Sequence, residues 1–245
     1  SSVHGDGQQA RLVVDEAKRT IARLLGAKPN ELVVTSGGTE ANALALAQAD
    51  LSQPIAVSAV EHSSILRAVP SATLLPVDQD GQLSVSALTA DADFVACQFA
   101  NNETGILQTK AISAIRARAP QARILVDACQ GAGKTALDLT TLGADFVSLA
   151  GHKFGAPKGV GLLWVRNGVR IQPVFRGGRQ QQDRRSGTED PALTSALAAA
   201  LTDALANHLD EAQRQRQLLS ACFAHIVEAL PDACWIGHHA PRLAN

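Results

Sequence analysis

Apolar residues recur along the chain at two different spacings. Positions 9–25 carry Leu12, Val13, Ala17, Ile21, Leu24 and Leu25 at helical intervals, with Gly26 as a C-terminal cap and Pro29 beyond, which predicts a helix. Short apolar runs follow at 31–34, 55–57, 72–75, 94–97, 124–126, 146–149 and 161–165, most of them ending in polar, proline or glycine-rich residues. Helical patterns lie between several of them, at 41–47, 64–68 and 111–119. This alternation predicts an α/β fold, a three-layer α/β/α arrangement with a mostly parallel sheet, in which ligands bind beyond the carboxyl ends of the strands. The stretch 191–230 is rich in Ala and Leu and reads as one long or broken helix. Its charged middle (Asp210, Glu211, Arg214, Arg216) reads as a solvated face.

Composition narrows the class. The chain has 245 residues, enough for one large domain or one domain and part of another at about 100–200 residues each. Aromatics are 3% and Tyr is absent, so the core rests on Ala, Val, Leu and Ile, and no aromatic platform for nucleic acid is expected. A net charge of −1, with Lys and Arg dispersed, argues against a nucleic-acid partner and for small molecules or proteins. No apolar run approaches the roughly 20 residues of a membrane span, and no signal peptide opens the chain, so a soluble cytoplasmic protein without a membrane partner is expected. Cys97, Cys129, Cys222 and Cys234 form no CxxC pair and sit in apolar segments, which suits reduced thiols. With no Met and a polar turn at Ser1, the chain is expected to begin inside a longer product.

Five polar clusters fall just after apolar runs. Thr35-Ser36-Gly37-Gly38-Thr39-Glu40 lies between a strand and a helix, and is either an anion site built from backbone N–H groups or a capped turn. Asp127 ends an aliphatic strand and is either a helix cap or the partner of a protonated ring nitrogen. In Ser148-Leu149-Ala150-Gly151-His152-Lys153, a lysine at a buried strand end would pay for desolvation unless a Schiff base removes its charge; the alternative is a surface lysine in a loop. Lys158 competes with it but sits amid Pro and Gly in what reads as an exposed turn. His62, in Val60-Glu61-His62-Ser63-Ser64, is either structural or an imidazole that stacks on a flat cofactor and shuttles protons. Asn102, in Asn101-Asn102-Glu103-Thr104-Gly105, reads as a turn residue or as an amide that bonds a cofactor oxygen or substrate carboxylate. No metal site is predicted.

In this order the strings TSGGTEAN, VEHSSIL, NNETGILQ, VDACQGAGK, LAGHKFGAPKGVGLLWVR and RSGTED resemble the cysteine desulfurase branch of the class V, fold-type I enzymes dependent on pyridoxal 5'-phosphate (PLP). The resemblance implies a PLP-binding large domain over residues 1–205, with 206–245 a helix leading into a truncated C-terminal small domain. It implies Lys153 as the Schiff-base residue and proton carrier, and Asp127 against the pyridine nitrogen. His62 would stack on the ring, Gln130 and Asn102 would contact the phenolic oxygen or the substrate, and Gly38, Thr39 and His152 would hold the phosphate. Thr188 would reach the phosphate of a neighbouring subunit's cofactor, which implies a homodimer. The implied reaction converts L-cysteine to L-alanine and passes the sulfur, as a persulfide on a mobile cysteine, to an acceptor or scaffold protein for iron–sulfur or thio-nucleoside assembly.

Two departures accompany the resemblance. Ala150 stands where the family usually has Ser, removing one phosphate hydroxyl. HHAPRLAN resembles the entry to the family's small domain, so the acceptor cysteine and the substrate-carboxylate Arg are expected beyond this chain, and none of its four cysteines fills the acceptor role. Another class V enzyme (an aminotransferase or selenocysteine lyase) and a non-catalytic dimerisation or binding protein on the same fold are the competing readings.

Overall fold

Parallel strands need a crossover between them, supplied here in part by helices and in part by longer irregular segments. The computed structural model describes residues 4–244. In chain order it contains α1 (Gly5–Leu24), β1 (Leu32–Thr35), α2 (Gly38–Leu46), β2 (Ile55–Ser58), α3 (Ser63–Leu66), β3 (Thr73–Leu75), β4 (Phe94–Gln98), α4 (Thr109–Arg118), β5 (Arg123–Asp127), β6 (Phe146–Ala150), β7 (Gly161–Val165) and α5 (Pro191–Ala229). Each apolar run predicted as a strand is one, and each helical pattern is a helix, with ends shifted by a few residues.

The strands form one sheet in the order β1-β7-β6-β5-β4-β2-β3. All neighbours are parallel except β7, which runs antiparallel to both β1 and β6. β7 is reversed because only a short loop separates it from β6, too little chain for a crossover helix.

Residues alternate between the two faces with the period of a pleated strand. Val34, Val95, Cys97, Val126, Val147 and Trp164 enter one core, together with Ile21 of α1, Ile112 of α4 and Leu197 of α5. Val33, Phe94, Ala96, Leu125, Phe146 and Leu163 enter the other, with Ala41 and Leu44 of α2 and Ile65 of α3. Phe94 and Phe146 stack there at 6.0 Å between ring centroids. Both faces are thus covered, which explains why the strands are continuously apolar rather than alternating.

The exposed edge at β1 is closed by a side chain. The Gln181 amide donates to the Val34 carbonyl at 2.8 Å and accepts from the Val34 N–H at 2.7 Å, taking the place of another strand. The backbone there is left-handed at three successive non-glycine residues, Gln181, Gln182 and Asp183 (φ 49°, 62° and 60°). Such conformations cost about 1–3 kcal/mol each and persist only where other contacts impose them.

α5 is a single helix of 39 residues that passes through positions 205 and 206 without a break. Its first half buries Thr194, Leu197, Ala198 and Leu201, whereas Leu209, Leu218 and Ile226 further along are exposed. Asp210, Arg214 and Arg216 face solvent as expected, with Glu211 half-buried. Among the described residues no helix is long and apolar enough to cross a membrane.

Candidate active site

Because β1, β2, β4, β5 and β6 point the same way, the segments that follow them meet at one edge of the sheet. They enclose a cavity of about 270 Å³ lined by Gly38, Thr39, His62, Asn102, Asp127, Gln130, His152 and Lys153. Asn42, Ser64, Gln98, Ala100, Cys129 and Ala150 complete the wall. Eight of the nine residues singled out in the sequence therefore come together; Thr188 does not. It lies exposed on the loop before α5, a loop tied to α2 by Arg185, whose guanidinium donates to Glu40 at 2.8 Å.

The anion-site reading of the first cluster needs a helix N-terminus free of bulk, and α2 begins at Gly38 itself. A Cβ at this position would lie 2.5 Å from the Cys129 Sγ, so only glycine brings the helix start this close to the strand ends. Glu40 is turned away from the opening: its carboxylate accepts from the Ser36 N–H at 2.6 Å and from Arg185. Burial opposes ionisation there, but these hydrogen bonds outweigh it and hold the carboxyl below its ordinary value. Ala150 presents only its methyl group to the cavity.

Asp127 makes a cap-like bond to the turn that follows β5 and also reaches across to α2. Its Oδ1 accepts from the Cys129 N–H at 2.9 Å and its Oδ2 from the Asn42 amide at 2.8 Å. Asn42 donates also to the Ser64 hydroxyl at 3.0 Å, and that hydroxyl lies 2.8 Å from the His62 Nδ1. The Ser64 backbone N–H points at the same nitrogen, 3.1 Å away. A backbone N–H can only donate, so Nδ1 is an acceptor in this arrangement, and in the neutral imidazole the proton is on Nε2. Asn42 and Ser64 stand inside the quoted strings, yet sequence reasoning did not single them out. Their signal is contact through space.

Beneath this chain lies Glu61, buried to 6% exposure, its carboxylate near the Gln98 backbone but in no well-formed hydrogen bond among the described residues. Burial pushes its carboxyl well above the ordinary range, and the nearby Asp127 charge adds to the effect. The Cys129 thiol is likewise pushed up, by burial first and by Asp127 second, so it stays a packed thiol. Two further buried atoms of the cavity wall, Asn42 Oδ1 and Gln98 Nε2, lack partners among the described residues. Unmet groups of this kind cost about 1–3 kcal/mol each, and a polar ligand would satisfy them.

Lys153 corrects the reading of a lysine at a buried strand end. It stands on a 3-10 turn, Gly151–Phe154, three residues beyond β6, and its side chain is exposed at the cavity. Its exposure leaves the side chain accessible from the cavity. Lys158 is exposed and does not line the cavity. Asn102 is also exposed, with its amide donating to Glu103 at 2.6 Å. The Gln130 oxygen accepts from Lys134 at 2.7 Å. All four cysteines are free, as their spacing and apolar neighbourhoods suggested; Cys97 is buried, whereas Cys222 and Cys234 are exposed. Both sit on the part of α5 and its sequel that has no covering layer.

A mostly parallel sheet covered by helices on both faces, with a cavity at its strand ends, is the α/β fold of the fold-type I enzymes. The chain belongs to the class-V aminotransferase family, whose model matches residues 1–245. It is 36% identical to cysteine desulfurase 2 of Trichormus variabilis over 260 residues, covering all of this chain and 65% of that protein. It is also 36% identical to cysteine desulfurase NifS of Azotobacter vinelandii over 263 residues, covering all of this chain and 65% of that one. Among solved structures, it is similar to a NifS-like protein from Rickettsia africae (TM-score 0.88, 27% identity, 100% of this chain and 71% of that one). DndA from Streptomyces lividans is a further match (TM-score 0.78, 33% identity, 90% and 69%). The chain thus spans about 65% of the length of these curated relatives.

Proposed function

We propose that the cavity holds pyridoxal 5'-phosphate, anchored at Lys153, and that the whole protein is a cytoplasmic cysteine desulfurase. It would convert L-cysteine to L-alanine and pass the sulfur to an acceptor protein. The observation that carries the reading is the convergence of Lys153, Asp127 and His62 on one cavity in a chain 36% identical to cysteine desulfurases. Its donor set suits the group: N–H groups at the start of α2, with Thr39 and His152, for a phosphate, and a buried carboxylate for a ring nitrogen. When bound, PLP supplies an electron sink conjugated to the substrate's α-carbon.

The chain's own residues then have distinct tasks. Asp127, fixed from two sides by Asn42 and the Cys129 N–H, would hold a proton on the ring nitrogen. His62 would cover the ring face, its orientation set by Ser64. The solvated Lys153 amine would anchor the cofactor and then carry the proton taken from the α-carbon. Gln130 and Asn102 would meet the phenolic oxygen or the substrate. Thr188, on its exposed loop, would complete the phosphate site of a second copy in a homodimer. The acceptor cysteine is assigned to none of the four cysteines here: Cys97 is buried, Cys129 is held as a packed thiol, and Cys222 and Cys234, though exposed, do not line the cavity.

The test uses the full-length protein loaded with PLP and supplied with L-cysteine and a thiol reductant. Equal amounts of alanine and sulfide are expected. Transamination without sulfide release would assign it to another branch of the family. A protein that stays colourless with added PLP would favour a non-catalytic role.

A further inference from the structure

We propose that Lys134 is a positioning residue of the cofactor site, fixing the Gln130 amide so that its NH₂ end is the one offered to the cavity. The inference rests on the reading of that cavity as a PLP site. It begins with a turn. After β5 the chain folds into a helical turn in which the Ala132 N–H donates to the Ala128 carbonyl and the Thr135 N–H to the Gly131 carbonyl, at 3.1 and 3.2 Å. Residues four apart on such a turn face the same way, and Lys134 Nζ reaches Gln130 Oε1 at 2.7 Å.

An ammonium has donors only, so the amide atom facing it must be the oxygen. The nitrogen becomes the free end, and it donates to no acceptor among the described residues. Since Gln130 lines the cavity, the turn offers a hydrogen-bond donor, which suits an anionic oxygen such as a phenolate and not a cationic or donating group.

The turn is held against the segment carrying Lys153. Gly133 is left-handed (φ +74°), and a Cβ on it would lie 2.6 Å from the Phe154 Cβ and 3.0 Å from that of Ala204 in α5. Lys134 is half-buried; burial lowers its pKa, and the charge of Lys153 adds to the lowering. Gln130 is the only hydrogen-bond partner of the Lys134 ammonium among the described residues.

The experiment titrates PLP into the full-length protein and into variants, reading the dissociation constant and the absorption maximum of the bound cofactor. Apo near-UV circular dichroism reports folding. Lys134→Met is expected to weaken PLP binding about tenfold and shift the band with the apo spectrum unchanged, the size of one hydrogen bond to a charged group. Gln130→Glu keeps a partner for Lys134 but removes the NH₂ group, and is expected to weaken binding at least as much. In a Gln130→Ala background, Lys134→Met should cost no more than about twofold further, because both act through one amide. Native-like binding by Gln130→Glu, or a full Lys134→Met penalty in the Gln130→Ala background, would overturn the inference while leaving the site reading intact. Failure of the unmodified protein to bind PLP would overturn both.

Discussion

The Asn42 amide donates to the Asp127 carboxylate across 2.8 Å and so joins the first half of α2 to the end of β5. Asn42 is 1% exposed, and the same amide group begins the hydrogen-bond path through Ser64 to His62. Replacing it with Ala removes a charge-assisted hydrogen bond worth about 1.5–3 kcal/mol. PLP affinity of the full-length Asn42→Ala protein, measured by titration, is expected to fall roughly ten- to a hundredfold, because a tenfold change corresponds to about 1.4 kcal/mol. Unchanged affinity would show that Asp127 needs no support from α2.

The approach of α2 to β5 gives a second expectation. A methyl group at position 38 would meet the Cys129 Sγ at 2.5 Å but the Ala150 Cβ at an ordinary 3.4 Å. Gly38→Ala should therefore destabilise the protein by about 1–3 kcal/mol, the usual cost of overpacking, and weaken PLP binding. Adding Cys129→Ala removes the colliding sulfur and should recover most of both losses in urea unfolding and cofactor titration. No recovery in the double variant would place the strain elsewhere.

Glu61 predicts a pH dependence of definite sign. In the unfolded chain its carboxyl titrates near 4.5, whereas in the folded protein burial and the Asp127 charge raise it well above that value. Between the two values the folded state binds more protons, so this residue's contribution to stability declines as pH rises and levels off above the folded value. Gln is neutral throughout. The stability gained by Glu61→Gln should thus grow with pH, by about 1.4 kcal/mol per unit within that window. Urea unfolding of both proteins at pH 5 and pH 7.5 checks this, and an equal gap at both pH values would contradict it.

At the sheet edge, Gln181→Ala strips both partners from the Val34 peptide groups. Buried peptide groups left unmet cost about 1–3 kcal/mol each, so the urea midpoint should fall clearly. A midpoint within error of the native value would mean that water replaces the amide at no cost.

The residue pattern alone determined more here than element positions. Short continuous apolar runs located the strands and period-3.6 spacing the helices, because strands covered on both faces are apolar throughout and surface helices on one side only. Polar clusters placed after strands marked His62, Asn102, Asp127, Lys153 and the turn holding Gly38 and Thr39, since in a parallel sheet all strand ends on one side share one opening, and the resemblance to cysteine desulfurases added Gln130 and His152. Tertiary structure decided what spacing does not encode. Strand direction follows from loop length and pairing, so β7 ran against its neighbours. Exposure depends on what lies overhead, so Lys153 emerged solvated, Cys222 and Cys234 uncovered, and Thr188 outside the cavity. The bonds from Asn42 to Asp127 and from Gln181 to Val34 span 85 and 147 residues, and only the folded chain brings such partners within reach of each other.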